Sequence, residues 1–379
     1  MKTVGIICEY NPFHLGHLRQ LHLIREMMGE NTAIIGVMSG NYVQRGLPAA
    51  WDKFTRANAA VACGVDLILE LPITKVLQSA EGFARGGVEV LTRLNAVDIL
   101  CFGAECGDTA ALMTLAEKMD SAESREQLRS KLDEGLPYAA ARQLAVGDQD
   151  DLLSSPNNIL GVEYCRAIKH LNSNLQPLAV QRNGNYHAET ADEKEPSATA
   201  VRTLFPHGNW EDFVPPAATD FLNGTWYDLP FGERAILARL RALDAEDWMR
   251  CAHGSEGLWS KAMKAARTKA TMEEIIEETK SKRYPRTRIQ RLLLCAYLGI
   301  TEDLLHKDIS YVRILAASDT GRKLLRTMKG NSNITLINPG EPPIDLDYYA
   351  LETRASDLFT LFSSGAFPCH MEQNARLQV

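Results

Sequence analysis

The sequence predicts an α/β protein: a parallel β-sheet covered on both faces, followed by a mainly helical second domain. Two observations carry this. Over the first hundred residues, short apolar β-branched runs alternate with segments of helical periodicity, the pattern of buried strands joined by crossover helices. After about residue 207 the alternation gives way to stretches of helical period. The expected division is therefore 1–205 for the first domain and 206–379 for the second.

Each element has its own signal. TVGIIC (3–8) is apolar and β-branched, and GHLRQLHLIREMM (16–28) has apolar residues at helical spacing. TAIIGVM (32–38) reads as a second strand, WDKFTRANAAVACG (51–64) as a helix stopped by Gly64, and VDLILELP (65–72) as a third strand. EGFARGGVEVLTRL (81–94) and AVDILCFG (96–103) repeat the unit. From 107 to 145 the pattern is helical and polar, broken at Ser154-Ser155-Pro156. NNILGVEYCRAIKHL (157–171) predicts a helix and PLAVQR (177–182) a fifth strand. The polar stretch 183–199 reads as a loop, with a helix beginning near Thr199. In the second half, 231–243, 256–266, 271–280 and 286–300 are helical, while 310–318 and 332–340 read as strands flanking TGRKLLRTM.

Composition narrows the class. Of 379 residues, 45% are hydrophobic and 23% charged, ordinary for a globular protein. No run of about eighteen apolar residues marks a membrane span, and the start of the chain reads as a strand rather than a signal peptide. Cysteines at 8, 63, 101, 106, 165, 251, 295 and 369 mostly lie in apolar stretches, which suits free thiols in a reducing cytosol. Cys101 and Cys106 have no second pair at zinc-ligand spacing, so no metal site is expected. With 41 basic and 48 acidic residues the net charge is −7, so any nucleic-acid contact must come from a local patch.

The chemistry-bearing stretch is EYNPFHLGH, residues 9–17. His14 and His17 fall between the first strand and first helix, at the strand end where ligands bind such sheets. A helix beginning near Gly16 offers unpaired N–H groups and a positive dipole end, which suits phosphate. Two imidazoles on the opening turn share a face and can donate hydrogen bonds while charge builds at an α-phosphorus. Surface histidines or a helix cap are the competing roles. A second phosphate element is Pro196-Ser197-Ala198-Thr199-Ala200-Val201-Arg202. There Ser197 and Thr199 offer hydroxyls at a helix start and Arg202 a guanidinium.

His14-Leu15-Gly16-His17 after a buried first strand is the signature of the HIGH-type nucleotidyltransferases, and the 196–202 stretch resembles their I-S-S-T-x-x-R loop, with Pro196 and Ala198 departing from it. The ordered series VGIICEYNPFHLGH, VMSGNYVQRGLPA, GVDLILELP, FGAE and SPNNILGVEY resembles the bacterial tRNA(Met) cytidine acetate ligase family. That resemblance implies a Rossmann-like nucleotidyltransferase domain and a cytoplasmic enzyme. It also implies ATP-dependent conversion of acetate to acetyl-adenylate, then acetyl transfer to N4 of the wobble cytidine of elongator tRNA(Met). Acetyl-CoA is not the donor. Mg²⁺ is expected to arrive with ATP, and no protein partner is expected. His14 and His17 are the expected catalytic pair. The implied nucleotide contacts are Ile7, Glu9, Tyr10, Asn11, Pro12, Phe13, His14, Gly16, His17, Gln20, Gly103, Asn157 and Arg182, joined by Ser197, Thr199 and Arg202. Asn158 is an alternative to Asn157. A turn glycine, a helix cap and a surface charge are the plain alternatives for Gly103, Asn157 and Arg182.

MSGNYVQRG (38–46) follows the second strand on the same sheet edge, and Ser39, Asn41, Gln44 and Arg45 are expected to line the acetate or cytidine side. Asp66 and Glu70 either orient a ligand or end the third strand. For tRNA, KSKRYPRTRIQR (280–291) is the best local candidate, with Lys282, Arg283, Arg286, Arg288 and Arg291 around Tyr284. Lys261, Lys264, Arg267 and Lys269 extend it upstream, and a solvated helix start is the competing role. Three other functions fit parts of the pattern: an adenylyltransferase acting on a small metabolite, a non-catalytic nucleotide- or RNA-binding protein, and an aminoacyl-tRNA synthetase. The last lacks a K-M-S-K-S-like loop.

Overall fold

The computed structural model describes residues 2–147, 151–182, 196–365 and 367–377. The nine strands among them are β1 (Thr3–Cys8), β2 (Ala33–Ser39), β3 (Tyr42–Val43), β4 (Leu47–Pro48), β5 (Leu67–Leu71), β6 (Ile99–Ala104), β7 (Gln176–Gln181), β8 (Tyr311–Ala317) and β9 (Thr335–Ile337). Seven form one sheet in the order β7-β6-β1-β2-β5-β8-β9, and β3 and β4 form a small hairpin. Pairing is parallel from β7 to β5 and between β8 and β9, whereas β8 runs antiparallel to β5. The predicted strand–helix alternation of the first hundred residues is therefore the α/β core. Among the described residues no helix is long and apolar enough to cross a membrane.

One expectation changes. Reading 206–379 as mainly helical ends the sheet with the first half of the chain, yet β8 and β9 extend that same sheet. The physical reason is β5, whose five residues are all buried. A fully buried strand needs a partner on each edge, and the apolar Tyr311–Ala317 run, buried along its whole length, supplies the second. The expected loop at 183–199 lies mostly outside the described residues.

Period-two alternation divides the core. Val4, Ile6, Ile34 and Ile68 face α1 (Leu15–Met28) and α2 (Lys53–Ala62), meeting Leu21, Ile24, Ala57 and Ala60. Ile7, Ile35, Val37, Leu67 and Leu69 face the Ala80–Arg93 helix through Phe83, Val88 and Leu91. β1 and β2 thus carry apolar residues on both faces, as parallel strands must.

Two buried cations on α2 fix the sheet edge where ligands bind. The Arg56 guanidinium donates to the backbone carbonyls of Glu9, Ser39 and Gly40, gathering the ends of β1 and β2. One turn earlier, the Lys53 ammonium donates to Glu70 of β5 at 2.7–2.8 Å and pairs with Glu372 of the Met371–Asn374 helix. Arg313 of β8 lies 3.1 Å from Glu372 and 3.5 Å from Glu352. Glu70 therefore belongs to a structural network. Three carboxyls face two cations here, so one proton balances the charge. The Tyr311 hydroxyl donates to Glu352. Burial, reinforced by Glu70, pushes the Glu352 carboxyl up to about 7 despite Arg313 and Lys53.

The folded state keeps a proton on Glu352 that the unfolded carboxyl, with a pKa of about 4.3, releases. Stability from this group is present in acid and lost as pH rises through about 7. Glu352→Gln supplies a neutral acceptor of the same shape. Melting temperatures from pH 5 to 8.5 should therefore fall more steeply for the natural protein than for E352Q; parallel curves would contradict the assignment.

Candidate active site

A cavity of about 530 Å³ opens at the carboxyl ends of β1, β6 and β7, beside the β3–β4 hairpin that follows β2. The chain runs from β1 to β2 on one side and later places β6 on the other. The cavity thus occupies the switch point of the sheet, where open α/β folds bind ligands.

Its floor is the start of α1. His14 is the N-cap residue, with extended backbone (φ −136°, ψ 173°). Its Nδ1 accepts the Gly16 N–H at 3.1 Å, and His17 Nδ1 accepts the His14 N–H at 3.2 Å. This is a reciprocal capping box built from two imidazoles instead of the usual Ser/Thr and Glu. The rings stack with centroids 3.7 Å apart, and Tyr10 and Phe13 pack on His17 at 4.9 and 5.5 Å. Burial, aided by the Arg182 and Arg202 charges, pulls His14 down to about 3. Burial, with His14 and Arg182, holds His17 well below its ordinary value. Both rings are neutral at physiological pH. Each Nδ1 accepts, so each proton sits on Nε2. The pair is two neutral N–H donors, and the positive charge beside them belongs to arginines.

Arg202 donates to the Asn11 carbonyl at 2.6 Å and to the Thr199 hydroxyl at 3.1 Å, tying the Ala198–Leu204 helix to the first loop. Ser197 caps that helix by accepting the Ala200 N–H at 3.0 Å. Arg182 follows β7, and its side chain crosses Gly103: a Cβ at 103 would sit 2.7 Å from Arg182 Cδ. Gly103 is thus required for the close approach of Arg182. Asn157 opens the Pro156–His170 helix, and its amide N–H donates to Glu105 at 2.8 Å. A carboxylate only accepts, so the Asn157 carbonyl oxygen stays available to the cavity. Asn158 is buried and accepts the Cys106 N–H at 3.1 Å; of the two asparagines, Asn157 is the one on the cavity wall.

The structure brings together Ile7, Glu9, Tyr10, Asn11, His14, Gly16, His17, Gln20, Gln44, Arg45, Gly103, Asn157, Arg182, Ser197, Thr199 and Arg202 on one wall system. Four expected residues lie elsewhere. Pro12 and Phe13 are off the wall, Phe13 being a fully buried support for His17. Ser39 and Asn41 are buried behind it. The Asn41 side chain accepts the Lys53 N–H at 2.9 Å and donates to Ser356 at 3.2 Å, bracing α2. Residues that sequence reasoning missed include Phe83, Phe102 and Tyr164; they look like ordinary core positions in the sequence, and nothing in their local pattern separates them.

The basic stretch divides. Lys282 and Arg283 are exposed. Arg283 and Arg288 pair with Glu256 at 2.9 and 3.1 Å, and Arg286 pairs with Glu273 and Glu277. Arg291, by contrast, is 7% exposed and lines the cavity.

Comparison with known proteins shows the family. The HIGH Nucleotidyl Transferase family model matches residues 1–374. The tRNA(Met) cytidine acetate ligase of Clostridium perfringens is 37% identical over 366 residues, covering 89% of this chain and 90% of that protein. The chain belongs to the tRNA(Met) cytidine acetate ligase family. The ligase of Acetivibrio thermocellus is 35% identical, covering 89% and 88% of the two chains. The structure of Thermotoga maritima TmcAL (apo, form I) superposes with a TM-score of 0.88 at 29% identity, covering 96% of each chain. The same protein bound with alpha-thio ATP superposes at 0.86, covering 99% of this chain and 97% of that one.

For this ligase-family chain the neutral pair is directly measurable. Ring resonances of His14 and His17, followed by carbon-detected NMR, should show Nε2–H tautomers and no titration between pH 5 and 8. A midpoint near 6.5 for either ring would contradict the reading.

Proposed function

We propose that this chain activates acetate with ATP and transfers the acetyl group to N4 of the wobble cytidine of elongator tRNA(Met). The supporting observation is the convergence of the His14 and His17 Nε2–H donors with Arg182 and Arg202 in a cavity at the sheet's switch point. Acetate is ionised at neutral pH, so no general base is required to make it a nucleophile. Its oxygen attacks the α-phosphorus of ATP. The bond from that phosphorus to the bridging oxygen breaks, and pyrophosphate leaves with the electron pair. The imidazoles donate to oxygens on which charge accumulates, and arginines neutralise the triphosphate. In the second step N4 attacks the acetyl carbonyl carbon. The bond from that carbon to the phosphate oxygen breaks, AMP leaves, and the N4 proton passes to solvent. The cytidine must leave its stack to reach the cavity.

Mg²⁺ enters on the nucleotide in this reading. The described residues contain no group of three or more His, Cys, Asp or Glu able to cage a cation; the donor set fits a hard ion held mainly by phosphate oxygens and water. The ion supplies further neutralisation of the triphosphate. A cytoplasmic setting follows from the tRNA substrate.

The tRNA face is proposed to be Lys282, Arg283, Arg286 and Arg288. Their ion pairs with Glu256, Glu273 and Glu277 lie at the surface. Such exposed pairs are weak and screened by solvent, so a phosphodiester can displace the carboxylates.

Three measurements follow. Purified protein with ATP, labelled acetate and bulk tRNA should yield acid-precipitable label, while acetyl-CoA in place of ATP and acetate should yield none; label only with acetyl-CoA would reject the ligase mechanism. His17→Ala should lower turnover about 100-fold or more, by loss of one charge-stabilising donor. Separately, replacing Arg283, Arg286 and Arg288 with Gln should weaken tRNA binding and flatten its dependence on salt concentration. An unchanged slope would place tRNA on another face.

A further inference from the structure

The Arg286–Leu298 helix is buried along its whole inner run from Ile289 to Leu298, and Arg291 sits within that run. A guanidinium in that position ordinarily has a carboxylate beside it, because burying an unpaired charge is costly. Arg291 has none among the described residues: its Nε finds no hydrogen-bond partner. The other groups that act on its charge are Cys295 and Arg288, neither of them a carboxylate. The neighbouring Arg283, Arg286 and Arg288 each have glutamates. Arg291 instead lines the cavity, together with Thr287.

Its place in the cavity is specific. Gly46, at φ +80°, lets the 43–48 hairpin lie against the helix backbone: a Cβ there would sit 2.7 Å from Arg291 N. Arg291 therefore stands on the β2 side of the switch point with Val43, Leu47 and Pro48. Gly103, Asn157 and Arg182 stand on the β6–β7 side. The α1 start lies between. A polyphosphate already has Arg182, Arg202 and the imidazole pair. On the β2 side Arg45 stands at the exposed rim, and Arg291 is the buried cation, with no carboxylate partner among the described residues, next to small apolar surfaces.

The geometry points to Arg291 as the binding residue for the carboxylate of acetate, with its methyl group against Val43, Leu47 and Pro48. The inference deepens the acetate-activating reading above and rests on it. A planar guanidinium matches a carboxylate in a way that a lone ammonium does not. A monocarboxylate adds one negative charge, which cancels the charge the fold leaves unpaired. The same residue is thereby withdrawn from the exposed tRNA face.

The test is acetate-dependent exchange of labelled pyrophosphate into ATP without tRNA, comparing the natural protein with Arg291→Met and Arg291→Lys. R291M should raise the KM for acetate about 10- to 100-fold, the loss expected for a charge-assisted hydrogen bond, and leave the KM for ATP within about 2-fold. R291K, which keeps the charge and is the fallback should R291M not fold, should give a smaller rise of the same kind. An unchanged acetate KM overturns the proposal. So does an equal rise in both KM values, which would place Arg291 on the nucleotide. Intact exchange with lost acetyl transfer also overturns it, placing Arg291 on tRNA. If the natural protein shows no acetate-dependent exchange, the activation reading itself fails. Saturation-transfer NMR of acetate on the analogue-loaded protein then decides the residue: a signal lost in R291M supports the site, and an equal signal in both removes it.

Discussion

The site depends on one reciprocal arrangement: each imidazole of His14 and His17 uses its Nδ1 to accept a backbone N–H at the start of α1. That single constraint sets the orientation, tautomer and charge of both rings. A helix start has N–H groups in need of acceptors, and histidines can provide them only by turning their remaining N–H outward. The geometry that caps the helix thus also fixes two N–H donors at the cavity. Burial then makes protonation costly, so the rings act as fixed dipoles while arginines carry the charge. Donors already aligned require little reorganisation when charge develops at phosphorus.

The surrounding structure holds that loop still. Arg56 joins the carbonyls at the ends of β1 and β2. Lys53, one turn away on the same helix, anchors α2 to β5 and to Glu372 far along the chain. Asn41, whose position in a glycine-flanked polar loop suggested substrate contact, braces the same helix. Buried charge here serves placement. A network that joins five charged side chains from both ends of the chain is satisfied only when α2, β5, β8 and the Met371–Asn374 helix are all in position.

Much of this was legible in the sequence. The strands, the crossover helices and the first loop all declare themselves through local pattern, because period, β-branching and glycine placement act over a few residues. The residues of the 9–17 stretch and of 196–202 could be assigned to one site because both stand at element ends. What local pattern does not carry is the partner across the fold. Nothing near residue 311 says that its strand pairs with β5. Nothing near 291 separates an arginine turned into a cavity from three that face glutamates, apart from the apolar run that follows it. The family resemblance implies nucleotide contacts along the whole first loop, Phe13 included; the Phe13 side chain is fully buried in the core. Adjacency along the chain fixes the neighbourhood, and the side-chain direction is settled by packing from elsewhere.

The most direct test is a crystal structure of this chain with a nonhydrolysable ATP analogue. The α-phosphate oxygens should lie within about 3 Å of the Nε2 atoms of His14 and His17, with Arg182 and Arg202 on the triphosphate and both Nδ1 atoms still bound to backbone N–H. Phosphate density away from those rings, or imidazoles swung free of their backbone partners to receive it, would rule out the capped pair as the phosphate site.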